Sequence, residues 1–302
     1  MMTPCRLTGV ATSPPHMGIR HSSNDAGAPR QPKHTIMDLE LRNQRVLITG
    51  GSRGIGLSCA AGFLREGARV AIVSRSAENL AKACAKLAEG QGEFAKDVVA
   101  LSADLTNIAE AARAVEEAVA GLGGIDILVT SAGAAKRRPP DELTPQLWQE
   151  AMTAKYFSYI NVIDPVVKRM AQQGRGAIVN IVGMGGKMAN PAHLAGGAAN
   201  AALMLASAGL ANAYGKQGVR VNAVNPSATH TERLQQGMEV DARIGGMTVE
   251  QALARANART GLGRLATPEE VADAVLFLSS PRASYISGSI LSIDGATTPM
   301  VV

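Results

Sequence analysis

The run Thr49-Gly50-Gly51-Ser52-Arg53-Gly54-Ile55-Gly56 has the residue types of a phosphate cradle. Glycines there permit a tight turn and close approach of backbone to phosphate. A helix starting behind them offers free N–H groups and a partial positive charge. A lone glycine triplet is weak evidence, but here a strand-like run precedes it, a helical pattern follows, and a second strand ends near Ser74. The bland reading is a tight turn with no ligand. About 20 residues past such glycines, an NAD-selecting protein places an acid on the adenosine ribose. This chain has Ser74-Arg75 instead, so no carboxylate repels a 2′-phosphate, and Arg75 and Arg53 can both donate to one. NADP is expected rather than NAD; the alternative is that both arginines are solvated surface charges.

The elements that must hold these residues are legible from Asn43 onward. Short apolar runs over 45–49, 69–73, 98–102, 125–130, 177–182, 219–224 and 289–293 read as buried strands. Between them, helical spacing covers 55–66, 77–89, 108–120, 147–172 (despite Pro165), 194–214 and 268–279. Strand and helix alternating through short loops predict an α/β fold, a doubly wound Rossmann-type parallel sheet in a single domain over 37–302.

Composition narrows the function. Hydrophobic residues are 46% and charged residues 18% of 302, enough for an ordinary core. No uninterrupted apolar run approaches the ~18 residues of a membrane helix. Residues 1–36 hold Arg6, Arg20, Arg30 and Lys33 against Asp25, a net +3 of the chain's +5. The body is therefore nearly neutral, and with only 3% aromatics a nucleic-acid surface is not expected. Cys5, Cys59 and Cys84 form no disulfide framework, so the cytoplasm is the default compartment. With only His193 and His230 in the body, no metal site is expected. Residues 1–36, rich in proline and without apolar periodicity, read as a disordered extension or an over-called start, Met37 being a natural beginning for the domain.

Several motifs in order resemble the short-chain dehydrogenase/reductase family over roughly residues 38–298. These are Thr49, Gly50 and Gly54-Ile55-Gly56; Asp104-Leu105 after the third strand; Thr130-Ser131-Ala132-Gly133; and Val219-Arg220-Val221-Asn222-Ala223-Val224 with Pro226 and Thr231. Gly263-Arg264, Pro268-Glu269-Glu270 and Asp294-Gly295 resemble the C-terminal part. Departures are Thr130 for the family's asparagine and Ser227 for a glycine. The resemblance implies that Asp104 and Leu105 meet the adenine, that Ser131, Ala132 and Gly133 line the cofactor, and that Pro226 and Thr231 stand beside the nicotinamide.

Where the family keeps its chemistry, this chain differs. The family's tyrosine, the lysine about four residues on, the serine about 13 residues upstream and an asparagine in the preceding helix fall at Gly196, Asn200, Gly183 and Lys155. The family's catalytic set therefore does not carry over. The two glycines are expected to open space before the nicotinamide. Asn200 can still hydrogen-bond a ribose. Lys155 can reach the vacated space, where desolvation would lower its pKa, and His193 is the candidate replacement acid. Against these stand a locally bonded loop histidine and a lysine on a solvated helix face. Lys187, Tyr156 and Tyr159 lie close in sequence, and the tyrosines read as packing residues.

Two functions follow. One is an NADP-dependent oxidoreductase acting on a carbonyl or alcohol substrate, for which the opened pocket would admit a bulky carbonyl, quinone or hydroxy compound, with a rebuilt proton relay; the other is a non-catalytic NADP(H)-binding sensor or partner subunit. The resemblance implies a homodimer or homotetramer through the small-residue helix 194–214. The polar stretch 232–260 is expected to be a mobile lid.

Overall fold

The structure is a computed structural model that describes residues 37–95, 97–133 and 136–298. The extension expected over 1–36 lies outside the described residues. Every element described below belongs to the unit Leu39–Val302.

Seven parallel strands, β1 (Arg45–Thr49), β2 (Arg69–Ser74), β3 (Val99–Ser102), β4 (Ile127–Thr130), β5 (Gly176–Ile181), β6 (Val219–Pro226) and β7 (Ile290–Ile293), form one sheet in the order β3-β2-β1-β4-β5-β6-β7. The helices are α1 (Gly54–Arg65), α2 (Ala77–Gln91), α3 (Ile108–Leu122), α4 (Pro145–Met152), α5 (Ser158–Gln173), α6 (Leu194–Tyr214), α7 (Glu232–Gly245), α8 (Val249–Ala258) and α9 (Pro268–Ser279). Alternation along each strand splits the core in two. Leu47 and Leu128 face α3, α5 and α6, while Val46, Ile48, Ile127 and Val129 face α1, α2 and α9. Both faces are covered, which is why the central strands are apolar throughout.

The chain leaves β1 in one direction for β2 and β3 and in the other for β4 to β7, so a crevice opens between the C-terminal ends of β1 and β4. Register fixes what meets there. Thr49 pairs with Thr130, and Thr130 with Asn180, so the loops after β1, β4 and β5 leave the sheet at one level.

Two regions differ from the sequence reading. The helical stretch 147–172 begins earlier, at Pro145 behind the Thr144 cap, and is broken by one wide π-helical turn, Thr153–Phe157. The Ser158 hydroxyl donates to the carbonyls of Ala154 (2.9 Å) and Lys155 (3.2 Å), competing with the regular ladder at that turn. The stretch 232–260 forms α7 and α8, joined through a satellite cluster of Met238, Ala242 and Ala252. Composition hid them because that apolar set is small. The stretch Pro191–Gln217 is long and apolar enough to cross a membrane, but 44% of its apolar window is buried and Leu203 and Ala211 sit in the core, so it is a wall of the domain.

Candidate active site

At the glycine loop, Gly50 has φ +68° and a Cβ there would lie 2.7 Å from Ala132 N. The loop therefore rests on the backbone of Ser131 and Ala132, whose N–H groups both donate to Thr49 Oγ1 at 3.1 and 3.3 Å. A Cβ on Gly56 would collide with Gly50 O, so the start of α1 is clamped to the turn. Arg53 precedes α1 and supplies no side-chain cap, leaving the first N–H groups of α1 to another partner. Ser52 is buried and donates to Ser74 Oγ at 2.9 Å, tying the loop to the end of β2.

Arg53 and Arg75 are exposed on the rim of this loop. The Thr106 backbone N–H, and more weakly the positive charge of Arg75, hold Asp104 below the usual carboxylate range. The Leu105 side chain is buried in the core and its carbonyl accepts from Asn161 Nδ2 at 3.0 Å. Leu105 thus offers a ligand its backbone alone. Ile55 is partly buried behind the loop, and Thr231 caps α7 by position with its Cγ2 3.1 Å from where a Gly54 Cβ would stand.

At the other end, Gly183 follows β5 with φ +121°, a conformation side chains rarely adopt. A Cβ there would meet Asn200 Nδ2 at 3.3 Å and, more loosely, Pro226 O at 3.9 Å. A Cβ on Gly196 would collide with His193 Cε1 and lie 2.5 Å from Nε2 and 2.8 Å from Nδ1. One on Gly185 would lie 2.9 Å from His193 Cδ2. The imidazole thus threads between two glycines. Beside Gly196 the expectation of open space does not hold, because the His193 ring stands there; beside Gly183 the nearest neighbour is the Asn200 amide. Both carry a buried polar atom with no partner among the described residues, Asn200 Oδ1 and His193 Nδ1.

Lys155 lies in the wide turn and is 7% exposed, not on a solvated face. Its Nζ donates to Tyr159 Oη (2.7 Å) and to Ile181 O (3.0 Å) and stands 4.3 Å from the Tyr159 ring centre. Tyr159 is fully buried and donates to the same carbonyl at 2.6 Å. Burial with no carboxylate alongside depresses the amine to about 7, with the positive charge of Arg233 adding to it. Gly133 (φ +78°) packs on Ala154 O, which brings the 131–133 loop against this turn. Burial, then Arg137, Lys155 and Arg233, bring the imidazole of His193 down to about 4.

Arg233 and Arg137 were not singled out from the sequence. Arg233 lowers the pKa of Lys155, Tyr159 and His193, and is itself held below the usual guanidinium range by burial first and by Arg53 and Arg75 after it. Its signal was its place, two residues past Thr231. The Lys155–Tyr159 pair was foreshadowed by its one-turn spacing. Lys187 turns away, donating at 3.4 Å to Ile290 O and Ser292 Oγ on β7. Tyr156 packs edge-on against Phe157.

The loop therefore fits a dinucleotide: a glycine cradle, an uncapped helix start, two exposed arginines, and an orphaned Asn200 acceptor at the far end. Comparisons with known proteins agree. A family model described as enoyl-(acyl carrier protein) reductase matches residues 50–298. The chain is similar to 2-(S)-hydroxypropyl-CoM dehydrogenase 3 of Xanthobacter autotrophicus, 31% identical over 87% of this chain and 99% of that one. It is similar to D-threitol dehydrogenase of Mycolicibacterium smegmatis, 34% identical over 86% and 95%. Among solved structures, L-sorbose reductase from Gluconobacter frateurii, complexed with NADPH and L-sorbose, superposes with a TM-score of 0.80 at 29% identity, covering 88% of this chain and all of that one.

Proposed function

The chain belongs to the short-chain dehydrogenase/reductase family, and on that premise we propose that it is an NADP(H)-dependent oxidoreductase of a small carbonyl or alcohol whose proton relay has been rebuilt. The carrying observation is that the His193 ring stands beside Gly196 and the Asn200 amide nearest to Gly183, while Lys155 sits buried one turn from Tyr159. A relay that had merely decayed would leave voids or solvent there.

When bound, the nicotinamide supplies or accepts hydride. The glycine loop and the start of α1 would hold the dinucleotide's phosphates, Ser74, Arg75 and Arg53 would receive a 2′-phosphate, and Asn200 Oδ1 would accept from a ribose hydroxyl. Lys155, at about 7, is matched to moving a proton to or from the substrate oxygen near neutral pH. His193, at about 4, is neutral there, so its role is that of a hydrogen-bonding imidazole rather than an imidazolium acid. NADP selectivity is supported by Arg75 and by the NADPH bound to the sorbose reductase. A homodimer or homotetramer is supported by the exposed side of α6, where Leu205 is 77% exposed beside alanines, and the cytoplasm remains the compartment proposed from three scattered cysteines.

A second reading, an NADP(H)-binding protein without turnover, is favoured by one observation: two of the three N–H donors of the Lys155 ammonium are spent on internal oxygens. Titration with NADPH and NADH followed by turnover on a carbonyl and alcohol panel separates the two. Steady turnover, lowered ~10²-fold in Lys155→Met, supports the enzyme. Tight NADPH binding without any turnover supports the second reading, and no affinity for NADPH overturns both.

A further inference from the structure

The half of the cleft around His193 is walled by cations. Arg137, Lys155 and Arg233 all act on the imidazole, against one carboxylate among the described residues, Asp241, which pairs with Arg137. The acid nearest to Arg137, Asp241, is committed to it through one nitrogen, Nη1 to Oδ2 at 2.6 Å. Among the described residues no hydrogen bond engages Arg137 Nε or Nη2. The guanidinium lies about the position of a missing side chain on α7: a Cβ on Gly237 would be 3.9 Å from Nη1 and 4.0 Å from Nε. A glycine there leaves that face of the guanidinium uncovered. The loop carrying Arg137 is pinned beside the imidazole, because Arg138 N donates to Ala192 O at 3.0 Å, one residue before His193. Arg53 and Arg75 belong to the phosphate end, so the substrate end keeps an excess of positive charge of its own.

We propose that the substrate is an anion, carrying a carboxylate or phosphate near its reacting carbon, and that Arg137 is the residue that receives this group. This rests on the oxidoreductase reading only for the word substrate; the anion site itself stands on Arg137, which Asp241 engages through one nitrogen only, and on the glycine that leaves its other face open. Charged and hydrogen-bonded recognition by an arginine fork discriminates strongly against a neutral isostere, because the guanidinium would otherwise be left partly desolvated without a partner.

The test uses the NADPH complex of the full chain. Short 2-oxo and 3-oxo carboxylic acids are compared with their methyl esters, and hydroxyketone phosphates with the free hydroxyketones, by thermal shift and by kcat/KM. Acids or phosphates should raise the melting temperature where esters and free ketones do not, and should be preferred at least tenfold in kcat/KM. Whichever of the two anions shifts the complex identifies the group. In Arg137→Gln that preference should collapse toward one, while Arg137→Lys should retain part of it. A melting shift without turnover keeps the anion site and removes the oxidoreductase reading. Equal responses to acids and esters, no response to either, or an anion preference that survives in Arg137→Gln overturn the proposal.

Discussion

The His193 ring occupies the space into which a side chain on Gly196 would grow, three residues along on the first turn of α6, with Gly185 closing the other side. Glycine at 196 and histidine at 193 are therefore one structural decision. Neither can change without the other being felt.

Gly196→Ala should consequently destabilise the protein by ~1–3 kcal/mol through overpacking against the imidazole. In a His193→Ala background the same change should cost much less. A double-mutant cycle on chemical denaturation measures the coupling, expected at 0.5 kcal/mol or more, on the order seen for touching residues. Additive costs would show that the ring does not fill that space.

Lys155 gives a pH signature in stability. Its folded pKa is about 7, against ~10.4 for an unfolded lysine. Below pH 7 both states are protonated, and the full cost of burying the ammonium is present. Between about 7 and 10 the unfolded chain binds the extra proton, so stability from this group rises with pH, by at most ~1.4 kcal/mol per unit. Lys155→Met should lack this rise and be comparatively more stable at pH 6. Melting temperatures of both proteins from pH 6 to 9 check the sign.

His193 acts lower on the scale. Its pKa falls from the usual ~6.5 to about 4, so its contribution is neutral above 6.5 and becomes a penalty as pH falls toward 4. Solvent at the ring's exposed part reduces the size. Acid unfolding of His193→Gln should begin at lower pH than that of the parent, once the Gln variant is compared at equal stability at pH 7.

Arg75→Ser should weaken NADPH roughly 10- to 100-fold, the size of a lost charge-assisted contact. NADH affinity should hardly change, because its ribose carries no phosphate. Fluorescence titration with both cofactors reads the ratio. Equal losses for both would place Arg75 away from the 2′-phosphate.

Tyr159→Phe removes one of the two oxygens that accept from Lys155 Nζ, leaving Ile181 O. The charged amine loses a partner, so the limb of the kcat–pH profile that Lys155 sets, acidic for alcohol oxidation and basic for carbonyl reduction, should move to lower pH while NADPH affinity is kept. A purely packing role for the phenol would leave the profile in place.

The seven strands and most helices were readable because each is encoded by a local period and by punctuation at its ends. β1 and α6 fall on the predicted residues, and β7 differs by one. The broken turn at 153–157 was not readable, since it depends on Gly133 pressing on Ala154 O from another loop and on the Ser158 hydroxyl. Nor were α7 and α8, whose few buried residues become a core only when the two helices meet.

For the site, the residues read in order were enough for the parts: a glycine cradle with an arginine and no acid past its second strand, and Lys155, Gly183, Gly196 and Asn200 where the family resemblance leads one to expect its working side chains. Residue identity and spacing are one-dimensional facts, and they suffice for that. Tertiary structure alone decided that Lys155 is buried rather than solvated, that the imidazole refills the gap beside Gly196, and that Arg137 and Arg233 share its surroundings. Burial and charge at a titrating group are sums over neighbours distant in sequence, and only the fold brings the loop after β4, the turn Thr153–Phe157, the start of α6 and the start of α7 near one imidazole.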